Sequence, residues 1–533
     1  MLNLVHGISA LEKSFSGGSM AETRVRMLRA VLVMAILVLL GQAAFADVVE
    51  QGVKDSKPSG LLAGVAKINI NPAVGIPSMN WGSASHIVAN GIDPVGMFLR
   101  ALVLSDGKQK FALVDVDGGV RGDEAIKRAS ELTGIPVEHI RLGSSHTHAG
   151  PSLNLNKGPV GADLSQYEDM LKRHQAVVAD KLVGVIVEAN SKLRPVHAFG
   201  MTGTGSINIS RRLRREFPAQ GDKIPWTVVG FNPEGFVDHE LPVIRIDDAQ
   251  GNPYAVLVNF QCHGTVLSFE NQLISPDWPG SMRSTVEASM PGATCLFFQG
   301  AAGNMTHIEG YTGDLEVPHR LGTILGLEAA ALAMHVSTVR RELQFEDYIE
   351  SSALQANQRY RVLGPHDATL KYASKILELP RRTYSKEEID RMTKLTADAE
   401  KNLNAVKQAA GSIQWDINQA AARHRRWAAL LARYQRPADA TPVKLEIAVL
   451  RIGDMALLLT NGELFAEIGA AVKKGSPFKV TMFCGYGNRV GGGYMPIRSE
   501  YPLGSYEVDG TSYNPGAAET LIEEAIALLK SVR

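Results

Sequence analysis

Two histidines, His146 and His148, stand in Arg141-Leu-Gly-Ser-Ser-His-Thr-His-Ala-Gly-Pro151, just after a short apolar run, Val137 to Leu142. In extended chain, residues i and i+2 point to one face, so the pair can address one cavity. Metal binding or proton transfer would use such a pair. H-x-H is short and common, and it gains weight from what lies downstream. His263 follows the apolar run Tyr254 to Phe260, and Gln299 to Thr306 follows Thr294 to Phe298. Glu463 follows Met455 to Leu459, and Tyr494 ends the Gly-rich loop after Lys479 to Phe483. Five polar loops after five strand signals fit one site at the carboxyl ends of strands, where open α/β sheets place their ligands.

Two histidines and a carboxylate suit zinc with an open fourth position. His146, His263 and Glu463 could supply that set, although spacing alone does not select them from 14 histidines. Zinc would lower the pKa of a water to about 7 and polarise a carbonyl. His148 would then be left for proton transfer, and Arg211 with a tyrosine hydroxyl could steady an oxyanion. Asp277 could orient a ligand histidine from behind. The basic stretch Ile207 to Arg215 reads as a solvated face from which one arginine could bind an anion or a carbonyl oxygen. His307, His319, His366 and His424 are expected on surfaces or helices.

The elements that must carry these residues are legible in outline. The chain has 533 residues, 45% hydrophobic and 21% charged, enough for a large core. Lys+Arg and Asp+Glu are both 55, so bulk electrostatics gives no case for nucleic-acid binding. Cys262, Cys295 and Cys484 sit in or beside apolar runs and read as buried thiols. Arg24, Arg26 and Arg29 precede the apolar run Ala30 to Leu40, and Ala44-Phe-Ala46 follows. Residues 1–46 therefore read as a signal peptide and 47–60 as a linker, which predicts a secreted or periplasmic protein; an uncleaved signal anchor is the alternative. Strand pairs surround Asp106-Gly107, Asp247 to Asn252 and Gly453-Asp454, and helices are expected over 122–133, 164–193, 321–336 and 520–532. Ser385-Lys-Glu-Glu388 is a capping box that opens a helical hairpin inserted at about 385–436. The expected fold is α/β, with mixed β-sheets flanked by helices in one domain over 61–533.

These motifs, in this order, resemble the neutral/alkaline (non-lysosomal) ceramidase family over roughly Leu61 to Lys530. The matching pieces are Ser145 to Pro151, Phe260 to His263 with Ile274 to Asp277, Phe298 to Asn304, Asn461-Gly-Glu463, and Gly493 to Tyr501 with Ser505-Tyr-Glu507. The resemblance implies zinc held by His146, His263, Glu463 and Tyr494. It implies that His148, Arg211 and Tyr506 contact the scissile amide of an N-acyl lipid or small amide, with peripheral membrane contact. Thr306 stands where the family carries a serine held to be important for catalysis, with His307 where proline is usual. The resemblance covers the catalytic region only, without a C-terminal immunoglobulin-like domain, and the helical hairpin is additional. The expectation is a zinc amidohydrolase in which zinc-activated water attacks an amide. The alternatives are a hydrolase of another amide or ester, or a non-catalytic zinc- or lipid-binding relative.

Overall fold

The computed structural model describes residues 57–533 apart from positions 79, 82–85, 121, 156–161, 216–225, 437–440 and 489. The signal-peptide stretch lies outside the described residues. One topological unit occurs three times. The first runs β1 (Leu62–Asn69), β2 (Phe98–Ser105), β3 (Lys110–Val116), helix α1 (Asp123–Thr133), β4 (Ile140–Ser144) and helix α2 (Glu168–Ser191). The second runs β5 (Arg194–Thr204), β6 (Glu240–Asp248), β7 (Pro253–Phe260), α3 (Trp278–Ser289), β8 (Thr294–Gln299) and α4 (Glu316–His335). In the third, β9 (Leu370–Leu379) is followed by the helix pair α5 (Lys386–Gln408) and α6 (Gln414–Tyr434). It continues with β10 (Val443–Ile452), β11 (Met455–Thr460), α7 (Ala466–Gly475), β12 (Val480–Cys484) and α8 (Ala517–Ser531).

In each unit three strands pair antiparallel and the fourth joins the third in parallel. A parallel partner needs a long crossover, which α1, α3 and α7 supply. Units one and two share one sheet of order β8-β7-β6-β5-β1-β2-β3-β4, and unit three forms a second, β9-β10-β11-β12. The sheets are thus mixed and flanked by helices.

The apolar runs are strands because alternate residues serve different cores. In β11, Met455, Leu457 and Leu459 enter the core between the two sheets, while Ala456 and Leu458 face the core under α7 and α8. Likewise β7 sends Ala255 and Leu257 between the sheets and Val256, Val258 and Phe260 toward α3 and α4. A strand covered on both faces reads as a continuous apolar run. The three cysteines are buried and unpaired.

Because the first three strands alternate in direction, the first and third end on the same side, and the fourth ends there too. The connection from first to second strand therefore overhangs that edge in every unit. In unit one it contains Trp81, and in unit two the strands Asn208–Arg215 and Trp226–Asn232; in unit three it is the α5–α6 pair. The capping box is present, with Ser385 Oγ accepting from Glu388 N and the Glu388 carboxylate from Ser385 N. Met392, Ala399, Trp427 and Tyr434 pack α5 against α6. A two-stranded ribbon, Val339–Glu350 with Leu354–Pro365, leads into β9. Nothing in the sequence reading anticipated that ribbon or β9: the ribbon is largely exposed, so burial imposes no clean apolar alternation on it. No helix among the described residues is long and apolar enough to cross a membrane.

Candidate metal centre

Each topological unit contributes one member of a compact triad. His146 follows β4, His263 follows β7 and Glu463 follows β11. Their ligand atoms all lie within 4.8 Å of one another. Glu463 Oε2 is 3.2 Å from His263 Nε2 and 3.6 Å from His146 Nε2. Ligands on a tetrahedral zinc at about 2.1 Å stand about 3.4 Å apart, so these separations fit such an ion.

Local chain geometry makes the convergence. The strand carrying His146 ends at Ser144, and His146 adopts a left-handed backbone, φ 57°. This corrects the expectation that extended chain aligns His146 with His148. A turn does so instead: Ser144 Oγ accepts from His146 N, and His148 N donates to Gly264 O. The two Nε2 atoms end 3.3 Å apart. Gly264 admits this approach, since a Cβ there would stand 3.1 Å from His146 O. Gly303 does the same for the loop after β8, where a Cβ would lie 2.3 Å from Glu463 O.

His263 is fixed from behind by carbonyls. Its Nδ1 donates to Ala302 O (2.6 Å) and Met305 O (3.0 Å), which leaves the Nε2 lone pair facing the triad. Asp277 was the expected partner and is not. Its carboxylate accepts from Leu267 N and Trp278 N, and burial pushes it up to about 7. Burial also lowers the His263 pKa, with Arg211 adding to the effect, so the ring is held neutral as a ligand must be. Burial would raise the Glu463 carboxyl, but His146 and the Tyr494 hydroxyl act in the opposite sense, and the group is held far below the usual carboxylate range.

The short strand Glu463–Leu464 pairs in parallel with Tyr494–Met495, placing Tyr494 beside Glu463. The Tyr494 hydroxyl accepts from Arg211 Nη2 at 3.1 Å. The basic stretch is not a solvated face at this point. Arg211 is 5% exposed, and its Nε donates to Glu507 Oε1 at 2.8 Å. Arg212 takes the other Glu507 oxygen and turns to Glu500 and the Gly504 carbonyl. Of the two, Arg211 is the one that lines the cavity above the triad. Tyr506, half exposed, sets its ring 5.4 Å from that of Tyr494.

Thr306 lies behind this surface. It is fully buried, and its hydroxyl pairs with the Tyr311 hydroxyl at 3.0 Å; Tyr311, not Thr306, lines the cavity. His307 is fully buried rather than on a surface, its ring 4.8 Å from that of Tyr311. His319 lies on α4 against Asp93, His366 stacks on Phe199, and His424 lies on α6.

Two residues were missed. Tyr311 adopts φ 57°, and Tyr486 adopts φ 55°; positive φ in bulky residues marks sites where surrounding structure enforces strain. The Tyr486 ring stands 4.7 Å from that of His146, and its buried hydroxyl has no hydrogen-bond partner among the described residues. An orphaned hydroxyl beside the triad fits a site that holds a further polar group. The signal for Tyr486 was available, because it follows β12 as His263 follows β7.

The fold and the triad define a class: a layered α/β scaffold with a metal-capable His–His–Glu centre at its carboxyl edge. No protein-family model matches the chain. It is 29% identical over 150 residues to neutral ceramidase B of Dictyostelium discoideum, covering 27% of this chain and 19% of that protein. It is 23% identical over 427 residues to the neutral ceramidase of Pseudomonas aeruginosa, covering 73% and 59%. The chain thus spans about a fifth of one of these relatives and 59% of the other. The crystal structure of the Pseudomonas aeruginosa neutral ceramidase superposes with a TM-score of 0.58 at 19% identity, over 90% of this chain and 75% of that one. A solved ceramidase described as complexed with C2 superposes with a TM-score of 0.56 at 18% identity, over 89% and 76%. The chain is thus similar in sequence to neutral ceramidases and shares the fold of the solved ones.

Proposed function

We propose that the chain is a zinc-dependent amidohydrolase acting on the N-acyl amide of ceramide or a related lipid. The observation that carries this reading is the His146–His263–Glu463 triad, with Tyr494 beside it as a fourth donor. Zinc bound there would supply Lewis acidity and a water acidified to about pKa 7. Arg211 and Tyr506 stand above the triad to hold the amide oxygen as it gains charge. His148 holds and moves a proton. When the C–N bond breaks, the carbonyl carbon keeps the oxygen of water, the leaving nitrogen takes that proton to become the amine, and water's second proton passes from the new carboxyl group to the amine, giving carboxylate and ammonium.

Elemental analysis of the purified chain beside His146→Ala tests the reading. About one zinc per wild-type chain, absent from the variant, is expected, with amide hydrolysis lost on chelation and regained with zinc. Folded wild-type protein that takes up no zinc would overturn it. Thr306 lies out of the cavity and Tyr311 lines it instead, which favours a second reading: hydrolysis of an amide or ester other than ceramide. Competition between ceramide and simpler N-acyl amides separates the two. We also propose export, on the Arg24 to Ala46 stretch. N-terminal sequencing of protein from the producing cell is expected to begin at Asp47.

A further inference from the structure

The cavity above the triad is about 2290 Å³, larger than a small-molecule pocket of about 300–1,000 Å³. Its lining among the described residues is unevenly charged. Eight arginines and no lysine face four carboxylates, and one of the four is Glu463 of the triad.

Several arginines are accounted for inside the fold. Arg211 pairs with Glu507 and Arg382 with Glu388. Arg433 donates to the Gly510 carbonyl. Arg423 and Arg426 are different. Helix α6 presents Asp416, Gln419, Arg423, Arg426, Leu430 and Arg433 to the cavity, at alternating steps of three and four that make one helical face. Arg423 is exposed and has no ion pair among the described residues. Arg426 reaches Asp509 only at 3.9 Å. Asp416 lies two turns away from Arg423 on the same stripe.

The stripe is close to the chemistry. The Arg426 guanidinium lies 5.8 Å from the Tyr506 ring centre, and the Tyr506 ring lies 5.4 Å from that of Tyr494. Two aromatic rings therefore separate it from the triad. Met392, Leu395, Trp427 and Leu430 line the same cavity and offer an alkyl chain apolar surface. Guanidinium forks match carboxylate and phosphate oxygens two at a time. A recessed basic wall concentrates field lines on an anion.

We infer that the cavity takes an N-acyl amphiphile bearing an anionic oxo group, a carboxylate or a phosphate, which seats on Arg423 and Arg426 while the amide reaches the triad. The reaction rests on the proposed amide hydrolysis; the anion binding does not. Ligands without an amide therefore test it: dodecyl phosphate, dodecanoate and 1,2-dodecanediol, each titrated calorimetrically below its micelle concentration into the wild-type protein with its metal. At least one of the two anions is expected to bind about tenfold or more tightly than the diol. Preference for dodecyl phosphate assigns a phosphate, and preference for dodecanoate a carboxylate.

The double variant Arg423→Gln/Arg426→Gln is expected to lose most of that difference, with diol binding, metal content and the circular dichroism spectrum unchanged. Arg423→Lys/Arg426→Lys is expected to keep part of it. Equal binding of diol and anions by the wild type overturns the inference. So does an anion preference that survives in the glutamine variant, because the metal centre would then be its source. Failure of amide hydrolysis alone leaves the anion preference standing, and failure of the anion preference leaves the hydrolysis standing.

Discussion

Arg211 and Arg423 line one cavity in opposite surroundings. Arg211 lies at the floor, 5% exposed, with its guanidinium bonded to Glu507 and to the Tyr494 hydroxyl. Arg423 is exposed on α6, with no ion pair among the described residues. The floor is delivered by strand ends inside three packed units. The wall is a helix pair inserted between β9 and β10, held together by its own small clusters. A buried charge must be satisfied by the fold itself, whereas an exposed one can be left for a ligand. The floor is therefore built for fixed geometry, and the wall is where substrate class can change without disturbing it.

The largest effect should come from breaking the floor. Glu507→Ala leaves Arg211 and Arg212 without their shared carboxylate, at an expected cost of about 3–5 kcal/mol. Arg423→Ala should stay within about 0.5 kcal/mol. Urea unfolding of both variants measures the difference, and equal losses would erase the distinction between floor and wall.

Tyr311 sits where floor meets cavity. Tyr311→Phe removes the hydroxyl of a cavity-lining residue and leaves that of Thr306 buried without its partner. We predict a fall in kcat on the order of tenfold or more with KM little changed. Thr306→Val should do less, since its hydroxyl does not line the cavity. Steady-state kinetics with one N-acyl substrate orders the two, and the reverse order would return the role to Thr306.

A pH effect sharpens the same contrast. Burial holds the His307 imidazole down to about 4, against about 6.5 in the unfolded chain. Between those values the unfolded state binds the extra proton, so this group's contribution is present above pH 6.5 and lost as pH falls toward 4. Asp277, pushed up to about 7, acts in the opposite sense: its contribution is present below about 4 and lost as pH rises toward 7. The wild-type profile therefore mixes the two, and the informative quantity is the difference between wild type and His307→Gln. That difference should change by about 1.4 kcal/mol per pH unit across the window.

What the sequence made legible follows from where each constraint lies. The β7 and β11 runs could be read as strands because both their faces are covered, and His263 and Glu463 could be read as candidates because they follow those strands directly. Tyr494 could be assigned to the shared site by its loop, but its role as a metal ligand came only through family likeness, because its place beside Glu463 depends on a two-residue strand pairing across the chain. Arg211 could not be separated from Arg212 by sequence. Glu507 separates them by holding both while only Arg211 reaches Tyr494. His307 and Tyr311 were misjudged or missed because their burial comes from a three-residue strand, Met305–His307, pairing with Asn208–Arg215 and from the loop after it, segments too short to show a local periodicity. The triple repetition of the unit was equally invisible, since it is a property of strand order and not of residue pattern.

The smallest effect concerns the wall alone. Ser385 caps α5 in a reciprocal box with Glu388, and Ser385→Ala should cost that helix about 1 kcal/mol. If the wall is a separate cooperative element, the loss stays local. Hydrogen exchange should quicken by about fivefold across Lys386–Gln408 and its partner Gln414–Tyr434, and remain unchanged at β11 and Glu463. Bound metal should be unaffected, and the anion preference set by Arg423 and Arg426 should weaken as their helix loses its support. Faster exchange at β11 as well would mean that the helix pair braces the floor, and the freedom to vary the wall would disappear with it.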